Sequence, residues 1–231
     1  MGSDDIFKKR REERKPRKEN SKIMYSSNWL VVCEGKQTEP NYFTGAIDAI
    51  NETIKEDKYK LKVEVKGMGM NTLSLVKSVD DIISNIEKCK NSIIPYDKVF
   101  VVFDKDSFTK DSFDNAVYMC KEKGYIPLWS NQAIEYWFLL HFNHIDSHMD
   151  RTLYQSKLNE YFKKAKLEYK YKKNDKTIYS KLIKYGSLEE AKNRARNIYF
   201  KNRENTPSNS ESCTTVYKFF DEIDSRLEEL K

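Results

Sequence analysis

The run Lys98-Val99-Phe100-Val101-Val102-Phe103 is the most β-like stretch of the chain, and it stops abruptly at Asp104-Lys105-Asp106. A continuous apolar run of this length fits a strand buried on both faces, as in a parallel sheet sandwiched between helices. A second such run, Trp29-Leu30-Val31-Val32-Cys33, stops just as sharply at Glu34-Gly35. Each is followed by helical spacing. From Glu39 to about Ile54, Tyr42, Phe43, Ala46, Ile47 and Ile50 fall on one face, with Pro40 in the first turn, where its missing N–H does no harm. After the second acidic stop, a helix is expected from about Asp111 to Lys123, closed by Gly124.

Two more strand–helix units complete the pattern. Leu61, Val63 and Val65 alternate with Lys62, Glu64 and Lys66, which predicts a half-buried strand nearer an edge. Gly67-Met68-Gly69-Met70 is a turn. Asn71 or Thr72 then caps a helix carrying Leu73, Val76, Val79, Ile82, Ile83 and Ile86. Pro95-Tyr96-Asp97 breaks the chain before the central run. Tyr125 to Trp129 reads as a fourth strand, placed at an edge or strand end by Pro127. Ser130-Asn131 caps a hydrophobic helix from Gln132 to about Phe142. Four alternations of strand and helix predict a mostly parallel α/β sheet with helices on both faces and right-handed crossovers.

From about Asp146 strand signals vanish, and Lys and Tyr dominate, with Tyr161, Tyr169, Tyr171, Tyr179 and Tyr185 among many lysines. Helices are expected near 153–167, 176–185, 187–202 and 214–230. The organisation predicted is a basic tail over 1–26, an α/β domain over 27–145 and a helical lobe over 146–231, part of which packs back onto the sheet. The lobe's lysines fit a grip on phosphate with tyrosines stacking on bases. They equally fit a solvated surface over a tyrosine core. Lys192, Arg194, Arg196, Lys201 and Arg203 form its densest late basic stretch. The tail, with Lys8, Lys9, Arg10, Arg11, Arg14, Lys15, Arg17 and Lys18, is either solvated chain or an arm for phosphate or a partner.

The 231 residues carry 42 Lys and Arg against 36 Asp and Glu, a net charge of +6 that permits nucleic-acid contact without requiring it. No apolar run reaches the ~18 residues of a membrane span, and no apolar signal core stands at the N-terminus, so neither membrane insertion nor secretion is expected. Cys33, Cys89, Cys120 and Cys213 make no C-x-x-C pair and no zinc spacing, which fits reduced thiols in a cytoplasm. His141, His144 and His148 have roughly helical spacing but no Cys or acidic partner at ligand distance in the sequence, so zinc is not expected.

Ligands of open parallel sheets bind at the carboxyl edge of the strands. Glu34 follows the first strand and Asp104 and Asp106 follow the third, so adjacent strand ends would gather three carboxylates. Such a cluster must hold a proton or a cation, and a hard divalent ion suits oxygen ligands. Turn and cap chemistry also explains Asp at a strand-to-helix junction.

The motifs resemble those of the RloB-like family. Glu34-Gly35-Lys36-Gln37-Thr38-Glu39-Pro40-Asn41-Tyr42-Phe43 resembles its opening motif and Phe103-Asp104-Lys105-Asp106 its second. Ser130 to Phe142, with Glu135, Trp137 and His141, resembles its third, and Cys213-Thr214-Thr215-Val216-Tyr217 its closing motif. The third motif departs from the family pattern: a proline commonly present after the asparagine is absent here, where Gln132 follows Asn131. The resemblance implies a Toprim-like fold with Mg²⁺ or Mn²⁺ bound by Glu34, Asp104 and Asp106, with Glu135 as a candidate further ligand, and nuclease chemistry on DNA or RNA, tRNA included. It further implies a role in bacterial antiphage defence beside a partner ATPase.

On that basis Glu34 is a metal ligand or the general acid/base, and Asp104 and Asp106 hold the ion. Lys36 neutralises phosphate, or is an ordinary surface lysine. Glu39 takes part in catalysis, or only favours the helix start, and for Thr38 a cap alone is likewise the alternative. Glu135, in an apolar stretch, needs a partner and completes the acidic site or forms a buried ion pair. His141 approaches substrate or caps its helix, and Trp137 is core. Against the nuclease stand two other classes, a non-catalytic subunit docking to an ATPase and a nucleotidyl or phosphoryl transferase using the same carboxylates. A homo-oligomer is allowed by all three.

Overall fold

The computed structural model describes residues 27–90 and 96–229; the basic tail over 1–26 and the break at Pro95 lie outside the described residues. The two apolar runs form β1 (Ser27–Cys33) and β3 (Lys98–Asp104), and the alternating segment forms β2 (Leu61–Gly67). With β4 (Ile126–Asn131) and β5 (Cys213–Thr214) they make one sheet in the order β2-β1-β3-β4-β5. The first four strands are parallel and β5 runs antiparallel to β4. Leu30, Val31, Val32 and Cys33 are completely buried, as a strand covered on both faces requires. β2 is an edge strand, as its alternation predicts.

Helix α1 (Thr38–Thr53) and helix α8 (Tyr217–Glu228) share one face of the sheet. Phe219 of α8 lies between Trp29, Phe100 and Phe43, with ring centroids 6.3, 5.2 and 5.0 Å away. Helices α2 (Thr72–Lys90) and α3 (Lys110–Glu122) pack together on the other face, where Phe113 meets Phe103 and Trp129. Gly124 closes α3 at φ +75°, a conformation that a side chain would strain.

After β4 come the short α4 (Glu135–Leu140), then α5 (Tyr154–Lys164), α6 (Ile178–Tyr185) and α7 (Leu188–Lys201). α4 is shorter than its apolar sequence suggests. Its start is set by Ile134 N–H, which donates to the Asp104 carboxylate at 3.1 Å. Trp137 is core, as expected: it stacks on Phe220 at 5.9 Å and its indole N–H donates to the Tyr42 hydroxyl at 2.6 Å.

The lobe departs from expectation at its closing motif. Strand structure does not vanish after residue 146, because β5 pairs with Ser130 and Asn131. Two residues are too few to show a period. The pairing is made by hydroxyls instead: Thr215 Oγ1 accepts from Trp129 N–H at 2.8 Å, and Thr214 Oγ1 lies 2.9 Å from Ser130 Oγ. The closing motif is therefore a clasp on β4, and α8 begins at Tyr217 rather than 214. Among the described residues no helix is long and apolar enough to cross a membrane.

Because α8 and the sheet share one core, Phe219→Ala should destabilise the whole chain by about 3–5 kcal/mol. Urea unfolding followed by far-UV and tryptophan signals should show one shifted transition by both probes.

Candidate functional site

The first crossover carries the chain from β1 to β2 and the second carries it back past β1 to β3. The order therefore reverses between β1 and β3, which opens a crevice at their carboxyl ends. Glu34 continues the β1 backbone, its N–H donating to Val102 O at 2.9 Å. A cleft of about 430 Å³ opens there, lined by Glu34, Lys36, Glu39, Asp104 and Asp106, and by Lys173 from the lobe.

Glu34 and Asp104 are bound to each other through the backbone. Glu34 Oε2 accepts from Asp104 N–H at 3.2 Å and from the Thr72 hydroxyl at 2.9 Å. Two residues could have capped α2. Asn71 does so, its side chain accepting from Ser74 N–H at 3.0 Å, which releases Thr72 to hold Glu34. Asp104 divides its carboxylate: Oδ2 caps α4 through Ile134, while Oδ1 is sealed from solvent without a hydrogen-bond partner. The cap reading of Asp104 and the site reading thus apply to different oxygens of one side chain.

Glu39 and Glu135 are only 7% and 6% exposed, so their charges weigh heavily on their neighbours. Glu39 folds back against Gly35, where any Cβ would collide with its carboxylate, and it also bonds its own backbone N–H. Glu135 accepts from the Tyr171 hydroxyl at 3.0 Å and lies 3.8 Å from the Lys173 ammonium. Thr38 does not cap α1; its hydroxyl donates to Lys173 O at 3.0 Å, tying the lobe to the mouth of the cleft. The Lys36 side chain runs along Gly69, which sits at φ +66°. Asp106, at φ +46°, lies on the rim with its carboxylate paired to Arg151.

Burial raises Glu34 to about 7 from its ordinary 4.5; the Thr72 and Asp104 hydrogen bonds oppose this and the charge of Glu39 adds to it. Asp104 is held well above the carboxylate range by burial, then by the charges of Glu39, Glu135 and Glu34. Glu39 is raised by burial and then by Glu135. Acids in this state accept either protons or a cation. The donor set is hard oxygen, and Asp104 Oδ1 is a buried acceptor awaiting a donor. Both fit a cation such as Mg²⁺, which is commonly held by one or two carboxylates and completed by water and phosphate. Among the described residues no group of three His, Cys, Asp or Glu side chains is arranged to hold a metal ion.

His141 lies outside the cleft. It caps the C-terminus of α4, as one of its two readings expected, with its Nδ1 3.1 Å from Trp137 O, and burial lowers it to about 4. His144 and His148 pair instead with Asp146 and Glu211. Sequence reasoning missed Thr72, Tyr171, Arg151 and Lys173. Thr72 left a signal, two cap residues for one helix start, and Tyr171 stands in an alternating segment that signals an extended chain without naming its partner.

An acidic cleft at the switch point of a mostly parallel, helix-flanked sheet is consistent with a Toprim-like α/β protein. A family model described as RloB-like protein matches residues 29–223, and the chain belongs to the RloB-like family. No curated protein and no solved structure matches it.

A Glu34 carboxyl that protonates more readily folded than unfolded stabilises the fold fully below 4.5, and this contribution is lost as pH rises through about 7. In metal-free buffer the melting temperature should therefore fall across that window. Glu34→Gln should flatten the fall, and Thr72→Val, which removes a bond to the ionised form, should move its midpoint upward.

Proposed function

We propose that this protein is a metal-dependent nuclease that cleaves phosphodiester bonds in DNA or RNA. The observation that carries the reading is the buried, unpartnered Asp104 Oδ1 beside Glu34 at the switch point. Mg²⁺ or Mn²⁺ held by Glu34 and Asp104 would neutralise the carboxylates, polarise a phosphate and make water a better nucleophile. Asp106, on the rim of the cleft, and Glu135, whose charge acts on Asp104, are the further candidate ligands.

The chain's own residues supply the rest. Thr72 and the Asp104 N–H fix the Glu34 carboxylate, so that it meets a substrate in one orientation. Lys36 and Lys173, both exposed on the cleft wall, offset phosphate charge. Glu39 and Glu135 keep the proton affinity of Asp104 high and Lys173 close. Glu34, raised to about 7, is suited to exchange a proton with water or a leaving oxygen near neutrality. The place of this activity in antiphage defence, beside an ATPase, rests on the family resemblance.

Offered a mixture of single- and double-stranded DNA and RNA, purified chain should cut at least one of them when Mg²⁺ or Mn²⁺ is added and none in EDTA. Asp104→Asn and Glu34→Gln should each lower the rate at least about 100-fold with unchanged far-UV spectra. Equal cleavage by the variants would overturn the reading. Absence of cleavage by every form, with an ATPase still bound, would favour the non-catalytic subunit.

A further inference from the structure

The C-terminal half holds two basic stretches of opposite character. In the late one, every charge is already engaged. Lys192 pairs with Glu189 and Asp224, Arg194 with Glu190, Arg196 with Asp221, Lys201 with Asp146 and Arg203 with Glu204. In the earlier one, Lys163, Lys166, Lys170 and Lys172 are exposed and make no ion pair with any described residue.

The backbone explains why these lysines stand in a row. After α5 the chain turns at Lys166, φ +60°, and folds back along the helix. Asn159 Oδ1 accepts from Tyr171 N–H at 2.7 Å, and Gln155 Nε2 donates to Tyr171 O at 3.2 Å, two anchors one helical turn apart. Between the turn and these anchors the residues alternate. Leu167, Tyr169 and Tyr171 turn inward, where Tyr169 meets Phe162 at 5.2 Å and Tyr171 meets Phe138 at 6.2 Å. Glu168, Lys170 and Lys172 turn outward. A groove of about 540 Å³ beside the segment is lined by Lys163, Lys166 and Lys170, with Glu168 as its one acid and the half-buried Leu167 and Tyr169 on its wall. The next residue after Lys172 is Lys173, on the wall of the acidic cleft.

We propose that residues 163–173 form a phosphate track that holds a single-stranded nucleic acid and leads it into the cleft. Its destination rests on the nuclease reading; the track itself rests on the unpaired lysines and the groove. One extended segment offers one row of cations, which matches the single row of phosphates on one strand. The cleft at its end has the volume of a small-ligand site, on the scale of a nucleotide. Tyr171 is buried, and the ring of Tyr169, which lines the groove, already packs on Phe162 and carries the Lys181 ammonium 4.5 Å from its centroid, so the track reads phosphate and neither base nor sugar.

The test is binding of full-length chain to fluorescent oligo-dT and oligo-U, in EDTA over a range of salt, with duplex as competitor. Lys166→Ala/Lys170→Ala/Lys172→Ala is compared with Lys55→Ala/Lys77→Ala/Lys121→Ala, which removes equal charge from exposed sites elsewhere. The track variant should bind at least about tenfold more weakly, and its salt slope should shrink by about 2, near ~0.7 for each lost contact on a single strand. The control should stay within about threefold of wild type, and DNA and RNA should bind alike. No binding by wild type, equal losses in both variants, preference for duplex, or selection of one sugar would each overturn the track. Asp104→Asn separates the two readings. If it binds through the track while wild type cleaves nothing, the nuclease reading fails alone; if cleavage needs Asp104 and the track variant binds and cuts like wild type, the track fails alone.

Discussion

The parallel pairing of β1 with β3 is the contact on which the rest of the molecule depends. It sets Cys33 opposite Val102 and carries Glu34 one step further along the same ladder, beside the end of β3. Because β2 lies on the other side of β1, the helices leaving β1 and β3 diverge and leave their carboxyl ends uncovered. The two acids therefore meet as a consequence of strand order. No special loop is required; a hydrogen bond from the Asp104 N–H to Glu34 suffices to lock them.

That arrangement opposes stability. Four acids line one cleft, and Glu34, Glu39 and Asp104, which are shifted toward the protonated form, cost the fold some free energy when ionised. The offset comes from the layer beneath. Tyr42, Trp137 and Phe220 interlock α1, α4 and α8 directly under the cleft, and all three are buried. Such local departures from comfortable chemistry, supported by dense packing nearby, are expected at functional sites.

How much of this was legible in the sequence depended on range. β1, β3 and the acids at their ends were legible because an apolar run and its abrupt stop are adjacent in the chain. The edge position of β2 was legible from alternation alone. The partners of those acids were not: Thr72 is 38 residues from Glu34, and Tyr171 is 36 from Glu135. A side chain recruited across such a distance leaves no period. For His141 the two alternatives stayed open for the same reason, and the structure takes the cap: it ends α4 with Nδ1 3.1 Å from Trp137 O.

The segment after α5 is a different case, because its signal was present and was overridden. Leu167-Glu168-Tyr169-Lys170-Tyr171-Lys172 alternates with the period of an extended chain, yet a helix was expected to run through residue 167. The helix ends at Lys164, and the alternation that follows buries tyrosines and exposes lysines. The distinction matters because a helix would have distributed those residues around its circumference. An extended segment instead gives two faces, one that pins Glu135 through Tyr171 and one that presents charge. The lobe is therefore a wall of the cleft: remove it, and Glu135 loses both its hydrogen bond and its cation.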